Sequence, residues 1–142
     1  MIKRKPESLA FFIVKYYDLK DAIKGQGTIN VRKKFFKITA QIKPTINSDT
    51  YTVCFCYFIG GKIDVWVKGL LQKGNGIVPP HIYHKNVKED KVKLCLYMPN
   101  YHEYDSNKLL TANILPWTCE WLYFYELFLI TKNWFGNGIH PK

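Results

Sequence analysis

The sequence lacks a hydrophobic run long enough to cross a membrane. Its longest apolar stretch, WLYFYELFLI from Trp121 to Ile130, is interrupted by Glu126, whereas a membrane-spanning helix needs about 20 apolar residues. The opening MIKRKPESLAFFIVKYYDLKD has a short apolar run with no small-residue cleavage site behind it, so we expect no secretory leader. These absences favour a cytoplasmic protein that has no membrane partner.

The sequence also lacks the common signatures of metal and nucleotide sites. Its four cysteines include no C-x-x-C pair with the spacing of a zinc ribbon, and it has no glycine-rich phosphate-binding loop. Nothing in the cysteine spacing requires a disulfide, and thiols in a cytosol are normally reduced. We therefore expect neither a metal ion nor an organic cofactor.

Arginine is scarce, although the chain is strongly basic. Only Arg4 and Arg32 are arginines among the 21 cationic residues, and the formal net charge is +10. Such a charge attracts polyanions, but the lysines are dispersed along the sequence and do not form one block. A small basic nucleic-acid-binding domain is therefore an alternative that rests on the net charge alone, and we rank it last.

What is present indicates one α+β domain spanning residues 1–142. The 142 residues, 47% of them hydrophobic, suit a single core. Apolar residues at helical spacing predict a first helix over residues 6–24. Strict alternation from Phe36 to Lys43 predicts a half-buried strand. Two further β-prone runs over residues 50–69 are joined at Gly60-Gly61, which predicts a hairpin.

The rest of the chain divides into an irregular stretch from Pro79 to about Asp105 and a final helix. The helix begins near Pro116 or Thr118 and is apolar almost all round, which predicts a buried helix. The order of elements predicts helices packed on an antiparallel sheet. In the first of the two β-prone runs, Cys54 and Cys56 fall on one face, and we interpret them as small packing residues.

The cysteine with the most informative surroundings is Cys95, in VPPHIYHKNVKEDKVKLCLYMP, residues 78–99. Two prolines stiffen the entry to this segment, and LCLY gives way to the polar MPNYHEYD. A thiol at such a junction between a packed element and a surface loop can be both held and reached. These residues alone do not decide whether Cys95 is a structural cysteine or a reactive one.

This segment resembles the active-site segment of ubiquitin-conjugating enzymes. In that family two prolines precede an IYHPNV-like run, and the catalytic cysteine follows inside an ICL-like tripeptide. Here IYHKNV precedes Cys95 in LCL, with Lys85 where the family has proline. The resemblance implies a UBC-like α+β fold and an E2-like acyl transferase with Cys95 as its nucleophile, assisted by Asn86 and His84.

The ending LPWTCEWLYFYELFLITKNWFGNGIHP resembles more specifically a bacterial branch of this superfamily. Members of that branch are stand-alone E2-like proteins of anti-phage CBASS operons, which contain a cGAS-like nucleotidyltransferase. The resemblance covers residues 78–142. It implies that the chain forms a thioester with the C-terminal tail of the nucleotidyltransferase and primes it by conjugation to a target amine, without a metal or organic cofactor.

The expected chemistry requires a thiolate, because the thiolate is the nucleophile. Lys91 and Lys93 would favour the ionised form of Cys95. The side-chain amide of Asn86 would stabilise the oxyanion of the tetrahedral intermediate, and His84 would shape the loop.

Three alternatives stay open. Cys119 is the rival nucleophile, because a position near the start of the last helix would lower its pKa through the helix dipole. His81, His102 and His140 could join a cysteine-histidine pair, although lone histidines near aromatic residues are usually structural. A non-catalytic adaptor of the same fold, which holds the C-terminal tail of a partner, is the alternative from another functional class.

Overall fold

The structure, a computed structural model, describes residues 7–96 and 105–136. A six-stranded antiparallel sheet is covered on one face by helices, so the predicted α+β class and UBC-like layout are confirmed. In chain order the elements are α1 (Leu9–Ile23), β1 (Gln26–Asn30), β2 (Phe35–Ile42), β3 (Tyr51–Phe58), β4 (Lys62–Lys68), α2 (Leu70–Lys73), β5 (Ile82–Asn86), β6 (Lys91–Leu94), a 3-10 turn (Leu110–Ala112) and α3 (Ile114–Thr131).

Helix α1 begins at a side-chain cap and buries one side. Ser8 Oγ accepts a hydrogen bond from the backbone N–H of Phe11 at 3.0 Å, which satisfies one of the amide groups left open at a helix start. The helix ends at Lys24, whose φ is 50°. The buried side consists of Phe12, Lys15, Tyr16 and Leu19. The predicted first helix is confirmed, within the predicted bounds of 6–24.

The central strands follow the alternation of the sequence. In β2, β3 and β4 the residues that face the helices are buried at every second position, as expected for a sheet with one covered face. Gly60 and Gly61 join β3 to β4 with φ of 100° and 112°, a conformation that glycine adopts without steric cost. The predicted strand and hairpin are both confirmed.

The edge strand β1 is not predicted by the sequence pattern. Its residues are almost all exposed, so they carry no apolar alternation. It pairs with β2, and a Cβ on Gly27 would lie 2.5 Å from the carbonyl oxygen of Lys37. The close approach of the two backbones therefore requires glycine at this position.

The prediction of an irregular stretch from Pro79 to Asp105 is wrong over residues 82–94. These residues form the hairpin β5–β6, and β6 pairs with β4, so the strand order is β1-β2-β3-β4-β6-β5. The pattern is weak because β6 has four residues, of which Val92 and Leu94 are buried, and β5 is mostly exposed. The hairpin positions Cys95 at the end of a strand.

Helix α3 is buried along one side, so the expectation of a helix buried all round is wrong. Its buried residues are Ile114, Thr118, Trp121, Leu122 and Tyr125, whereas Ile130 is 79% exposed. The sheet presents a single inner surface, and a helix can press only one side against it. No helix in the described ranges is long and apolar enough to cross a membrane.

A buried lysine links three segments of the fold. The side chain of Lys15 is fully buried, and its Nζ donates to Glu7 Oε1 at 2.7 Å, to the Tyr57 hydroxyl at 2.7 Å and to the carbonyl oxygen of Ser106. Burial lowers the pKa of Lys15, and the Glu7 carboxylate opposes that shift. The ammonium group therefore joins α1 to β3 and to the segment before α3.

Replacing this lysine should destabilise the fold. We expect Lys15→Met to reduce the free energy of unfolding by about 3 kcal/mol, because Glu7 stays buried without its cation. Urea titration measures the loss. The control Lys33→Met, at an exposed turn position, should change it by less than about 0.5 kcal/mol. Equal midpoints for the two variants would contradict the role of Lys15, and Glu7→Gln added to Lys15→Met should recover part of the loss.

Candidate functional site

Cys95 directly follows β6, where the strand leaves the sheet. Its backbone N–H donates to the carbonyl oxygen of His81 at 3.0 Å, which extends the β5–β6 pairing by one residue. The residue is 8% exposed and its thiol is not in a disulfide. The main core cluster of described residues contains Leu94 but not Cys95. The cysteine is therefore held at the rim of the core.

The carbonyl oxygen of His81 accepts a second hydrogen bond. Trp121 Nε1 donates to it at 3.0 Å from α3. His81 has a φ of 56° and is 7% exposed. A residue other than glycine rarely adopts this backbone region, and such strain is concentrated at functional sites. One backbone oxygen thus ties the Cys95 strand end to the last helix.

An aromatic cluster packs against this connection. The rings of His81 and Trp134 lie 5.2 Å apart, and Trp134 lies 5.2 Å from Trp121. Trp134 follows α3, so the chain turns back onto the helix. Gly136 allows this turn, because a Cβ there would lie 2.7 Å from Trp134 Nε1 and 2.8 Å from the Phe124 ring. The segment after α3 therefore covers His81.

The structure does not bring Asn86 to Cys95. Asn86 pairs with Lys91 at the turn end of the hairpin, and four residues of β6 separate that position from Cys95, about 13 Å along a strand. Its Nδ2 donates to Glu89 Oε2 at 3.0 Å, and its Oδ1 accepts from the Glu89 backbone N–H at 3.1 Å. These bonds close the β5–β6 turn.

His84 lies nearer to Cys95 along the hairpin but points to the outer face of the sheet. It pairs with Lys93, two residues before Cys95, and its exposed ring lies 6.2 Å from the ring of Trp66. The residue that the fold places opposite Cys95 is His81. The symmetry of the pairs next to the turn would place Ile82 opposite Cys95. The irregularity between Ile82 and His84 shifts the register by one residue and brings His81 there instead, and no signal in the sequence marks that irregularity.

Cys119 has surroundings unlike those expected from its position in the helix. It lies in the second turn of α3, is partly buried and packs against the core. Burial raises the pKa of its thiol, so the expectation of a pKa lowered by the helix dipole is wrong. Desolvation of the thiolate outweighs the dipole, whose effect is confined to the first turn.

Cys54 and Cys56 pack on the outer face of β3, and their sulfurs lie 3.7 Å apart. The hydrogen bond from Cys56 lowers the pKa of Cys54 to about 6, with smaller contributions from Thr39, Lys37 and Lys68. The same contact raises the pKa of Cys56. The interpretation as small packing residues is therefore incomplete, because one of the two thiols ionises near neutral pH.

No cluster of three or more histidine, cysteine, aspartate or glutamate side chains suits a metal ion within residues 7–96 and 105–136. His102 and His140, the other histidines considered from the sequence, lie outside these ranges. Cys95 stays the predicted nucleophile of this site.

A comparison with protein-family models finds a match over residues 16–141, to the family E2-CBASS, described as Type II CBASS E2 protein. No curated protein matches the chain significantly. The matched range begins inside α1 and includes the sheet, His81, Cys95 and α3.

Loss of the Trp121 hydrogen bond should loosen the Cys95 strand end. We expect Trp121→Phe to lower the free energy of unfolding by about 1 kcal/mol and to accelerate alkylation of Cys95 by iodoacetamide, followed by peptide mass spectrometry. Tyr125→Phe is the matched control, because Tyr125 also donates from α3 to a backbone carbonyl, that of Leu70, at 3.0 Å. Equal Cys95 alkylation rates in the two variants would refute the link through His81.

The rate at which Cys54 is alkylated should depend on pH and on its contact with Cys56. A pKa of about 6 leaves Cys54 mostly thiolate at neutral pH, so it should be alkylated faster than Cys119. Removing the hydrogen bond with Cys56→Ala should raise the pKa of Cys54, slow its labelling near pH 7 and leave its labelling near pH 9 fast. The control Cys119→Ala should leave the rate of Cys54 labelling unchanged at both pH values. Unchanged Cys54 labelling in Cys56→Ala would contradict this cause.

Proposed function

This chain belongs to the family of type II CBASS E2 proteins, and on that premise we propose that it is a ubiquitin-conjugating-like acyl transferase whose nucleophile is Cys95. The observation that carries the proposal is the position of this thiol. It lies at the end of β6, within the matched range, with its backbone held by His81. A fixed backbone limits the positions that the sulfur can take during attack.

The proposed reaction has two steps. The Cys95 thiolate attacks an activated C-terminal carbonyl of the donor, a C–S bond forms, and the activating group leaves with the bonding electron pair. An amine of the target then attacks the thioester carbonyl, the C–N bond forms, the C–S bond breaks, and the proton lost by the amine is available to the thiolate. As the resemblance implies, the donor is the C-terminal tail of a cGAS-like nucleotidyltransferase.

The geometry supports Cys95 more strongly than the residues expected to assist it. An oxyanion donor must lie about 3 Å from the oxygen that it stabilises, whereas Asn86 lies at the far end of β6 and bonds to Glu89. We assign Asn86 to the β5–β6 turn and His84 to the outer surface of the hairpin. Cys95 is the residue to which the proposal gives the covalent step.

The adaptor reading is the second candidate function, and one observation favours it. Cys95 is only 8% exposed, whereas an acceptor thiol must be reached by the donor carbonyl. A protein that holds a partner's tail without forming a bond needs no accessible thiol. The two candidates differ in whether a covalent adduct forms.

Intact mass spectrometry separates these candidates. We expect the wild-type protein, co-expressed with the nucleotidyltransferase of its operon, to carry an adduct that thiol treatment removes. Cys95→Ala should abolish the adduct. Cys119→Ala is the matched control and should retain it, because burial keeps that thiol protonated and the other thiols are unchanged.

The contrary outcomes are equally specific. Loss of the adduct only in Cys119→Ala would identify Cys119, on α3, as the nucleophile. Absence of any adduct in the wild type, together with full anti-phage protection by a Cys95→Ser variant, would establish the adaptor reading. Circular dichroism of each variant excludes unfolding as the cause of a lost adduct.

A further inference from the structure

The sheet carries nearly all its charge as lysine. The six strands contain one acidic residue, Asp64, and six lysines: Lys37, Lys62, Lys68, Lys85, Lys91 and Lys93. The helices differ, since α1 contains Asp18 and Asp21 and α3 contains Glu120 and Glu126. The sheet itself is therefore rich in lysine and poor in carboxylates.

Five of these lysines lie on the outer face, opposite the helices. Lys37, Lys62, Lys68, Lys91 and Lys93 alternate with buried residues of β2, β4 and β6. The register places Lys68 beside Lys91 and Trp66 beside Lys93. The first three lysines are exposed, and the side chains of Lys91 and Lys93 are 30% and 27% exposed. Lys91 Nζ lies 3.1 Å from Glu89 Oε2, and Lys93 Nζ lies 3.8 Å from Asp64 Oδ1. The outer face is therefore rich in lysine, and an acidic ligand at Lys91 and Lys93 would share or replace these two carboxylate partners.

This lysine-rich face leads to the candidate nucleophile. Lys91 and Lys93 share the outer face of β6, about 6.6 Å apart, and Cys95 is the first residue after the strand, buried like its neighbour Leu94. Trp66 lies on β4, between β3 and β6. The ammonium group of Lys91 lies 4.8 Å from the centroid of the Trp66 ring. An extended peptide that delivers its C-terminal carbonyl to Cys95 would pass along these lysines.

We propose that Lys68, Lys91 and Lys93, beside Trp66, bind an acidic, extended segment of the acyl donor just ahead of its C-terminal residue. This inference rests on the proposed function, whose substrate class it specifies. Carboxylates at alternate positions of an extended peptide have the same spacing as Lys91 and Lys93, and Lys68 lies beside Lys91 on the neighbouring strand. Each contact is a partly exposed ion pair, so the set contributes selectivity and association rate more than affinity.

An acidic peptide fits this surface better than a single-stranded nucleic acid. Bases stack on open aromatic faces, but the Trp66 ring is approached by the ammonium groups of Lys91 and Lys93, at 4.8 Å and 6.0 Å from its centroid. The strands contain no arginine, the residue that best recognises phosphate in a bidentate manner. Continuity with Cys95 also favours the donor peptide.

Peptide binding to the Cys95→Ala protein tests the inference without any covalent step. The probe is a fluorescent peptide with aspartate at alternate positions and a free C-terminal carboxylate, and its control has asparagine at those positions. We expect the acidic peptide to bind at least about tenfold more tightly at low salt, with the difference shrinking as salt is added. Anisotropy titration measures both affinities.

Charge reversal locates the binding surface. Lys91→Glu/Lys93→Glu, made in the Cys95→Ala protein, should weaken the acidic peptide about tenfold or more. The control Lys33→Glu/Lys34→Glu changes the net charge equally at the β1–β2 turn and should have little effect. Lys68→Glu provides a second test at an exposed position, in case the double variant fails to fold.

The outcomes separate this inference from the proposed function. Lysine-dependent binding of the acidic peptide supports the inference even if the wild-type protein forms no adduct. Equal binding of the two peptides, or equal effects of the two charge reversals, overturns it even if the adduct forms. Tighter lysine-dependent binding of a single-stranded oligonucleotide of equal charge also overturns it and assigns the surface to nucleic acid.

Discussion

The carbonyl oxygen of His81 is the point on which the candidate site depends. It accepts the backbone N–H of Cys95 and the indole N–H of Trp121, each at 3.0 Å, so it joins the end of the hairpin to the C-terminal helix. A carbonyl oxygen has two lone pairs, and here both have donors from different elements. His81 can hold this position because Trp134 packs against its ring, which offsets the cost of a left-handed backbone. The position of the thiol is therefore set by contacts between segments far apart in sequence.

The part of the fold that the sequence predicts is the part with local periodicity. The alternation of β2 and β3 and the helical spacing of α1 are visible because each element buries one face along its whole length. Edge strand β1 and the hairpin β5–β6 are missed because their residues are exposed or too few to establish a period. Lys15 is missed for another reason: its partner Tyr57 lies 42 residues away, and no local pattern records such a pair.

The same distinction applies to the site. The resemblance identifies Cys95, and the structure places that residue at a strand end, but the companion residues differ from those expected. Asn86 is predicted from a motif of consecutive residues. His81, by contrast, is identified only by the strand pairing of the β5–β6 hairpin. The lysines give a parallel case, because they look dispersed along the sequence yet share a sheet face when read at a period of two. Spacing along the chain is a poor measure of proximity wherever strands pair.

The low exposure of Cys95 is compatible with acyl transfer if the donor is narrow. A folded protein surface has little access to a residue that is 8% exposed, whereas an extended chain end is a single peptide wide and can follow a strand. Lys91 and Lys93 lie on the outer face of β6, and Cys95 is the next residue after the strand ends at Leu94. Under the proposed function, this burial would exclude folded surfaces and admit an extended terminus. In the proposed function, selectivity would come from shape at the sulfur and from the charge of the lysines on the outer face of the sheet.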